Sequence, residues 1–309
     1  MMKVLIVGTG AIGGLYGALL ARAGAEVSAV CRSDYEVVTS HGIEIRSTLG
    51  EWTFRPAAVY CRADELSEAP DYVLLSTKVL PRIDRVALIK DAVGPDTVIV
   101  LIQNGVEIEE EIARAFPSNE LISGLAFVCT SRTAPGQVWH QAYGNLMLGD
   151  WPSGVSPRVT ALCEAFSHSG IKAKAMEDIV AARWRKCVWN APFNPLSVLS
   201  GGLYTSDILT TQEHLVCQLM NEVCTIAAAT GHSLPDDVID RNLADTHQMP
   251  PYKTSMLLDF EAGRPMETEA ILGNAVRAGQ RVHVSIPHLE TVYALMKLRE
   301  WQLGKADCR

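Results

Sequence analysis

The chain has 309 residues, 48% hydrophobic and 20% charged, which is enough for two domains with cores of their own. A net charge of −8 and a pI near 5.5 count against nucleic acid or an anionic membrane as the main partner. Eight cysteines, from Cys31 to Cys308, show no CxxC or zinc-type spacing. No apolar run reaches transmembrane length, and the N-terminal one is too short and glycine-broken for a secretory leader. A cytoplasmic protein with reduced thiols and no metal site is expected.

Residues 4–7 form a fully apolar, β-branched run that ends in Gly8-Thr9-Gly10-Ala11-Ile12-Gly13. Apolar residues then recur at helical spacing: Ile12, Leu15, Tyr16, Leu19 and Leu20. Strand, tight turn and helix are the setting in which GxGxxG signifies a dinucleotide site. Gly8 makes the turn, Gly10 lets backbone approach a pyrophosphate, and Gly13 lets the helix pack against the strand. The phosphates then meet the unpaired N–H groups of a helix N-terminus. Gly8, Thr9, Gly10, Ala11, Ile12 and Gly13 are the candidate cofactor loop.

Residues 26–31 read as the second strand, and Arg32 follows it. An NAD site usually carries an acid here for the ribose 2′-hydroxyl. A guanidinium cannot accept hydrogen bonds and suits a 2′-phosphate, so NADP(H) is the expected cofactor. Asp34 is the competing candidate for the ribose.

Residues 42–46 and 51–54 alternate around Leu49-Gly50 as a hairpin, and 58–60 read as a further strand. Residues 71–77 form a buried strand with Lys78 at its carboxyl end, residues 80–93 read as helix, and 97–102 form a strand ending in Gln103-Asn104-Gly105-Val106. Ligands of open α/β sheets bind beyond the carboxyl ends of strands, which marks Lys78 and Asn104. The acidic run 107–111 reads as the solvated start of a helix. Residues 121–130 are strand-like, 136–140 and 145–149 read as paired strands, and a helix over 157–168 and a strand over 171–175 close the first half.

From residue 176 the pattern is helix after helix. The first carries Lys186, Asn190 and Asn194 at i, i+4 and i+8, one face. Trp189, Phe193, Leu196 and Leu199 surround this polar column, which places it in a cleft rather than in bulk water. Pro192 predicts a kink. Further helices are expected over 211–230, 235–245, 254–263, 267–279 and 287–301.

These residues resemble the ketopantoate reductase family over almost the whole chain. The matching stretches are the glycine motif, Ser76-Thr77-Lys78, Gly94-Pro95-Asp96-Thr97 with Gln103-Asn104-Gly105-Val106, Trp184-Arg185-Lys186 through Asn190, and Asn194-Pro195-Leu196. Thr254-Ser255-Met256-Leu257 through Asp259, Gly263-Arg264-Pro265-Met266-Glu267, Glu269 and Gly273-Asn274 complete the set. The departures are Pro192, and Thr268-Glu269 where the family more often has Ile-Asp.

The resemblance implies an α/β fold, with an N-terminal Rossmann-type dinucleotide-binding domain over 1–175 and an all-helical C-terminal domain over 176–309, the active site in the cleft between them. It implies Lys186 and Glu267 as catalytic residues, and Asn104, Asn190, Asn194 and Ser255 at the substrate. Arg32 and Lys78 fall on the cofactor side, and Asn104 at the nicotinamide end. The implied activity is NADPH-dependent reduction of 2-dehydropantoate to pantoate, a step of pantothenate and coenzyme A biosynthesis, with a small 2-oxo acid as partner. Another 2-oxo acid or ketone, or dinucleotide binding without turnover, stay open as alternatives, as does a homodimer.

Overall fold

The computed structural model describes residues 1–306, so Cys308 lies outside the described residues. Two compact units emerge. One comprises Met1–Lys78, Ile83–Gln103 and Ile108–Ile179; the other takes Val79–Arg82, Asn104–Glu107 and the chain from Val180 onward. Two short segments beyond strand ends therefore belong with the helices.

The first unit contains β1 (Lys3–Val7), α1 (Ala11–Arg22), β2 (Glu26–Val30), α2 (Tyr35–His41), β3 (Ile43–Ser47), β4 (Gly50–Phe54) and β5 (Val59–Tyr60). It continues with β6 (Tyr72–Leu75), α3 (Arg85–Ile89), β7 (Val98–Ile102), α4 (Glu110–Ala115), β8 (Leu121–Ala134), β9 (Gln137–Asp150), α5 (Pro157–His168) and β10 (Ala173–Ala175). The sheet runs β4-β3-β9-β8-β7-β6-β1-β2-β5, with β10 beside β9. Strands β8, β7, β6, β1, β2 and β5 are parallel neighbours. After β1 the chain adds β2 on one side and later β6 on the other, a topological switch point at the glycine loop.

Alternation along the strands fills two cores. Val4 and Ile6 of β1 join Leu15 and Leu19 of α1 and Phe166 of α5 on one face. Leu5 and Val7 join Ile89 of α3 and Ile112 of α4 on the other. Period-two burial on both faces is why these strands read as continuous apolar runs.

Several local expectations change. The helix expected over 80–93 shrinks to α3, which starts only where Asp84 caps it by accepting from the Ala87 N–H at 2.9 Å. The segments 136–140 and 145–149 do not pair with each other. They are one strand, β9, antiparallel to β8, in which Tyr143 and Asn145 oppose Val128 and Phe127 and Gly144 is the extra residue. Tyr143 and Gly144 have φ of 63° and 107°, a bulge where the glycine suggested a turn. The acidic run is only partly a solvated face: Glu110 and Glu111 are exposed, Glu111 pairing with the buried Arg85, but Glu109 is 1% exposed and accepts from Ser123 Oγ at 2.7 Å.

The second unit contains α6 (Ile179–Leu199), α7 (Thr205–Ala229), α8 (Val238–Gln248), α9 (Ser255–Glu261), a π-helical turn over Glu269–Gly273, α10 (Asn274–Arg281) and α11 (Pro287–Ala306). Helix α6 runs through both Pro192 and Pro195. Its apolar face (Trp184, Cys187, Val188, Ala191, Val198) packs in a core with Leu219 and Val223 of α7, Ala275 of α10 and Leu289 of α11. Glu222 of α7 caps α11, accepting from the backbone N–H groups of His288 and Leu289 at 3.0 and 2.8 Å. Among the described residues no helix is long and apolar enough to cross a membrane.

Candidate functional site

The glycine loop leaves β1 at Gly8, whose φ of +100° favours glycine. Ser76, just beyond β6, donates to the Gly8 carbonyl at 2.7 Å, so the switch point is tied on both sides. A Cβ at Gly13 would collide with the Gly8 carbonyl oxygen and Ser76 Oγ, whereas a Cβ at Gly10 would find no atom within 4 Å. Gly13 is therefore needed by the fold, and the space at Gly10 is free for a ligand. Gly10 caps α1 with no side-chain hydrogen bond, leaving the first-turn N–H groups, those of Ala11, Ile12 and Gly13, as anion donors. The loop fits a pyrophosphate. Thr9 Oγ1 donates to Cys31 Sγ at 3.2 Å, which ties the loop to the end of β2.

Arg32, next in the chain, is exposed and forms no ion pair among the described residues. Asp34 is unavailable to a ribose. It is 2% exposed and accepts from Arg132 Nη1 at 2.8 Å and the Gly136 N–H at 3.1 Å. Lys78 is half-buried two residues beyond Ser76.

The second group of residues lies in the helical unit. Lys186 Nζ donates to Asn104 Oδ1 at 2.8 Å, and Asn104 Nδ2 donates to Glu267 Oε2 at 3.1 Å. The amide is oriented by chemistry: an ammonium only donates and a carboxylate only accepts. Glu267 Oε1 also accepts from the Val79 N–H at 3.1 Å. Asn104 sits on a turn held at four points. Arg183 Nη1 donates to the Gly105 carbonyl at 3.1 Å, the Val106 N–H donates to the Ala270 carbonyl at 3.1 Å, Asn274 Nδ2 donates to the Val106 carbonyl at 2.7 Å, and Arg281 pairs with Glu107.

Burial and the Arg183 guanidinium pull Lys186 down to about 8, against the Glu267 carboxylate, which raises it. The amine is a stronger acid than an ordinary lysine, poised nearer neutral pH.

Asn190 and Asn194 continue the Lys186 face and are buried at 8% and 2% exposure. Neither side chain has a hydrogen-bond partner among the described residues. Buried amides normally have one, so a ligand is the fitting partner. Ser255 is the exposed first residue of α9. The Thr254 hydroxyl before it shares a 2.8 Å hydrogen bond with Ser197, one turn beyond Asn194. Trp189 is fixed by donation from Nε1 to Thr246 Oγ1 at 3.0 Å and by contact with Phe193 and Tyr252. The structure thus brings Lys186, Asn104 and Glu267 together and sets Asn190 and Asn194 along the same helix.

Sequence reasoning missed Arg183, Arg281 and the part played by Val79. The one signal was a charged residue at 183 inside an otherwise core-facing turn. Among the described residues no group of three or more His, Cys, Asp or Glu side chains is placed to hold a metal, and seven cysteines are free thiols.

Comparison with known proteins identifies the family. The family description "Ketopantoate reductase PanE/ApbA" matches residues 4–153, and "Ketopantoate reductase PanE/ApbA C terminal" matches 178–300. A 2-dehydropantoate 2-reductase of Nostoc sp. is 35% identical over 96% of this chain and 94% of its own. The crystal structure of 2-dehydropantoate 2-reductase from Methylococcus capsulatus is 63% identical, with a TM-score of 0.95 and 98% of each chain covered. That from Geobacter metallireducens is 34% identical, with a TM-score of 0.90, covering 96% of this chain and 100% of its own. Both halves of the chain are matched in order, and it belongs to the ketopantoate reductase family, whose members are dinucleotide-binding oxidoreductases.

Proposed function

We propose that the chain reduces 2-dehydropantoate to pantoate with NADPH, Lys186 supplying the proton. The observation that carries this reading is the Lys186–Asn104–Glu267 chain of hydrogen bonds beside two buried, unpartnered amides. Binding alone needs neither the chain nor a softened amine.

Reducing a 2-oxo acid requires a hydride at the carbonyl carbon, a proton at its oxygen and a hold on the carboxylate. Bound NADPH supplies the hydride. Gly8, Thr9, Gly10, Ala11, Ile12 and Gly13 hold the pyrophosphate, Arg32 the 2′-phosphate, and Lys78 the adenosine side. Lys186 offers an N–H to the substrate oxygen while Asn104 Oδ1 occupies another of its protons and fixes the direction of the rest. As negative charge builds on that oxygen, the ammonium stabilises it and then transfers the proton. With a value of about 8, the amine is protonated roughly ten to one at pH 7 and still close enough to the working pH for efficient transfer. Glu267 holds Asn104 in the required orientation. Asn190 and Asn194 bond the substrate without adding charge, and Ser255 meets the carboxylate. The Glu267 carboxylate disfavours a second acid group and accepts from a hydroxyl, which selects 2-dehydropantoate over 2-oxoglutarate and over pyruvate.

The test is initial-rate oxidation of NADPH, and separately NADH, with the three oxo acids at matched concentrations. 2-Dehydropantoate with NADPH is expected to give the highest kcat/KM. A higher value for pyruvate or 2-oxoglutarate would overturn the substrate assignment, and equal use of NADH would overturn the role of Arg32.

A further inference from the structure

Arg183 is 1% exposed, among the largest fully buried side chains of the protein, and lies one turn before Lys186 on α6. A guanidinium does not give up its charge, and a buried charge is tolerated only where its donors are satisfied. One donor goes to the Gly105 carbonyl. Gly105 has φ of +109° and directly follows Asn104, whose side chain receives the Lys186 proton donor. The same guanidinium therefore grips the turn that carries Asn104 and stands at i, i+3 to Lys186, the spacing at which helix side chains meet. Two cations at that spacing repel, and a buried apolar residue would complete the helix core without the repulsion.

We propose that Arg183 is a positioning residue for the reduction: it holds the Asn104-Gly105 turn against Lys186, and its fixed positive charge makes Lys186 a readier proton donor. The inference rests on Lys186 being the donor. It is independent of which oxo acid is reduced. The charged groups that act on the amine are Arg183 from α6 and Glu267 from the segment before the π-helical turn, and they act in opposite directions. Burial is the largest influence on the amine, and Arg183 adds to it.

Two variants separate the clamp from the charge. Arg183→Gln removes the charge and, ending two atoms short of the guanidinium nitrogen that bonds Gly105, also loosens the clamp; Arg183→Lys loosens the clamp but retains the charge. Two readouts are taken on folded, full-length protein, with folding checked by thermal melting. One is the pH profile of kcat/KM for NADPH oxidation. The other is the rate at which Lys186 reacts with an amine-acylating reagent across the same pH range, read by mass spectrometry of its peptide.

For Arg183→Gln, the midpoint of Lys186 labelling and the alkaline limb of the profile are both expected to rise by about one pH unit, a tenfold change in amine protonation. Arg183→Lys is expected to keep both near the parent values. A Gln variant whose rate falls evenly at every pH, with limb and labelling midpoint unmoved, would overturn the proposal and leave Arg183 a structural residue. If the Gln variant does not fold, the Lys variant decides: a midpoint at the parent value supports the role of the charge, and a rise of about one unit overturns it. Near-normal turnover by Lys186→Ala would instead remove the donor reading, while the labelling midpoints would still report on Arg183 alone.

Discussion

Replacing Asn104 with alanine cuts the link between the amine and the carboxylate at both ends. The two hydrogen bonds lost measure 2.8 Å to Lys186 and 3.1 Å to Glu267, each with a charged partner. Bonds of this kind are worth about 1.5–3 kcal/mol each, and bonds within one network do not add in full. A combined loss of about 2–3 kcal/mol follows, or a fall in kcat of about 30-fold to about 160-fold. The fold is expected to survive, because Asn104 is partly exposed and its turn stays clamped through Gly105, Val106 and Glu107. The assay is kcat and KM for NADPH oxidation, with thermal melting and cofactor titration as controls. The loss of orientation shows in kcat, with cofactor affinity close to the parent and a melting temperature lowered by the same two lost bonds. Turnover within about threefold of the parent would refute the idea that Asn104 orients the proton donor.

Glu269 gives a pH test of stability. Burial alone would raise its carboxyl, but bonds from Lys297, Tyr293 and Arg277 outweigh burial and hold it at about 2, against an ordinary 4.5. A folded value below the unfolded one stabilises above about pH 4.5, and that stability is lost as pH falls toward 2. The full shift corresponds to about 3.4 kcal/mol, and solvent screening of this partly exposed group reduces it to about 1–2 kcal/mol. Glu269→Gln is therefore expected to lower urea stability by that amount at pH 7 and by much less near pH 3; an equal loss at both would contradict the ion-pair account. Gly10→Ala and Gly13→Ala make a contrasting pair. A methyl at Gly10 meets open space, so melting stays within about 0.5 kcal/mol of the parent while NADPH binding weakens at least about tenfold. A methyl at Gly13 meets backbone and Ser76, so about 1–3 kcal/mol of stability is lost as in other overpacked sites. Similar melting for both variants, or unchanged cofactor binding by Gly10→Ala, would remove the distinction.

What could be read from the sequence was what depends on near neighbours. The β1 run, the glycine loop and the start of α1 lie within twenty residues, and each local preference agrees with the others. Lys186, Asn190 and Asn194 were readable as one face because helical spacing alone puts them there. Partners far along the chain were not readable. Glu107 looked solvated because Arg281, its partner, is 174 residues away, and Glu111 because Arg85 is 26 away. Asp34 looked free for a ribose because nothing in its own turn announces Arg132 and Gly136. Residues 136–140 and 145–149 read as two strands because the left-handed Tyr143 and Gly144 interrupt the alternation, and only the cross-strand register with β8 shows that β9 runs through them. Asn104 was marked for cofactor and substrate by its position after β7, but that its turn is gripped by α6, α10 and the π-helical turn was not readable, because sequence spacing does not join them to it.

The most direct measurement is the turnover of Lys186→Ala at saturating NADPH, paired with NADPH binding by the same protein. A positioned general acid contributes about two to four orders of magnitude. The variant is therefore expected to lose about 10²–10⁴ in kcat for 2-dehydropantoate reduction while its Kd for NADPH stays within about threefold of the parent. A folded variant that binds NADPH and reduces 2-dehydropantoate within about threefold of the parent rate would contradict the account, because the proton would then reach the substrate without Lys186.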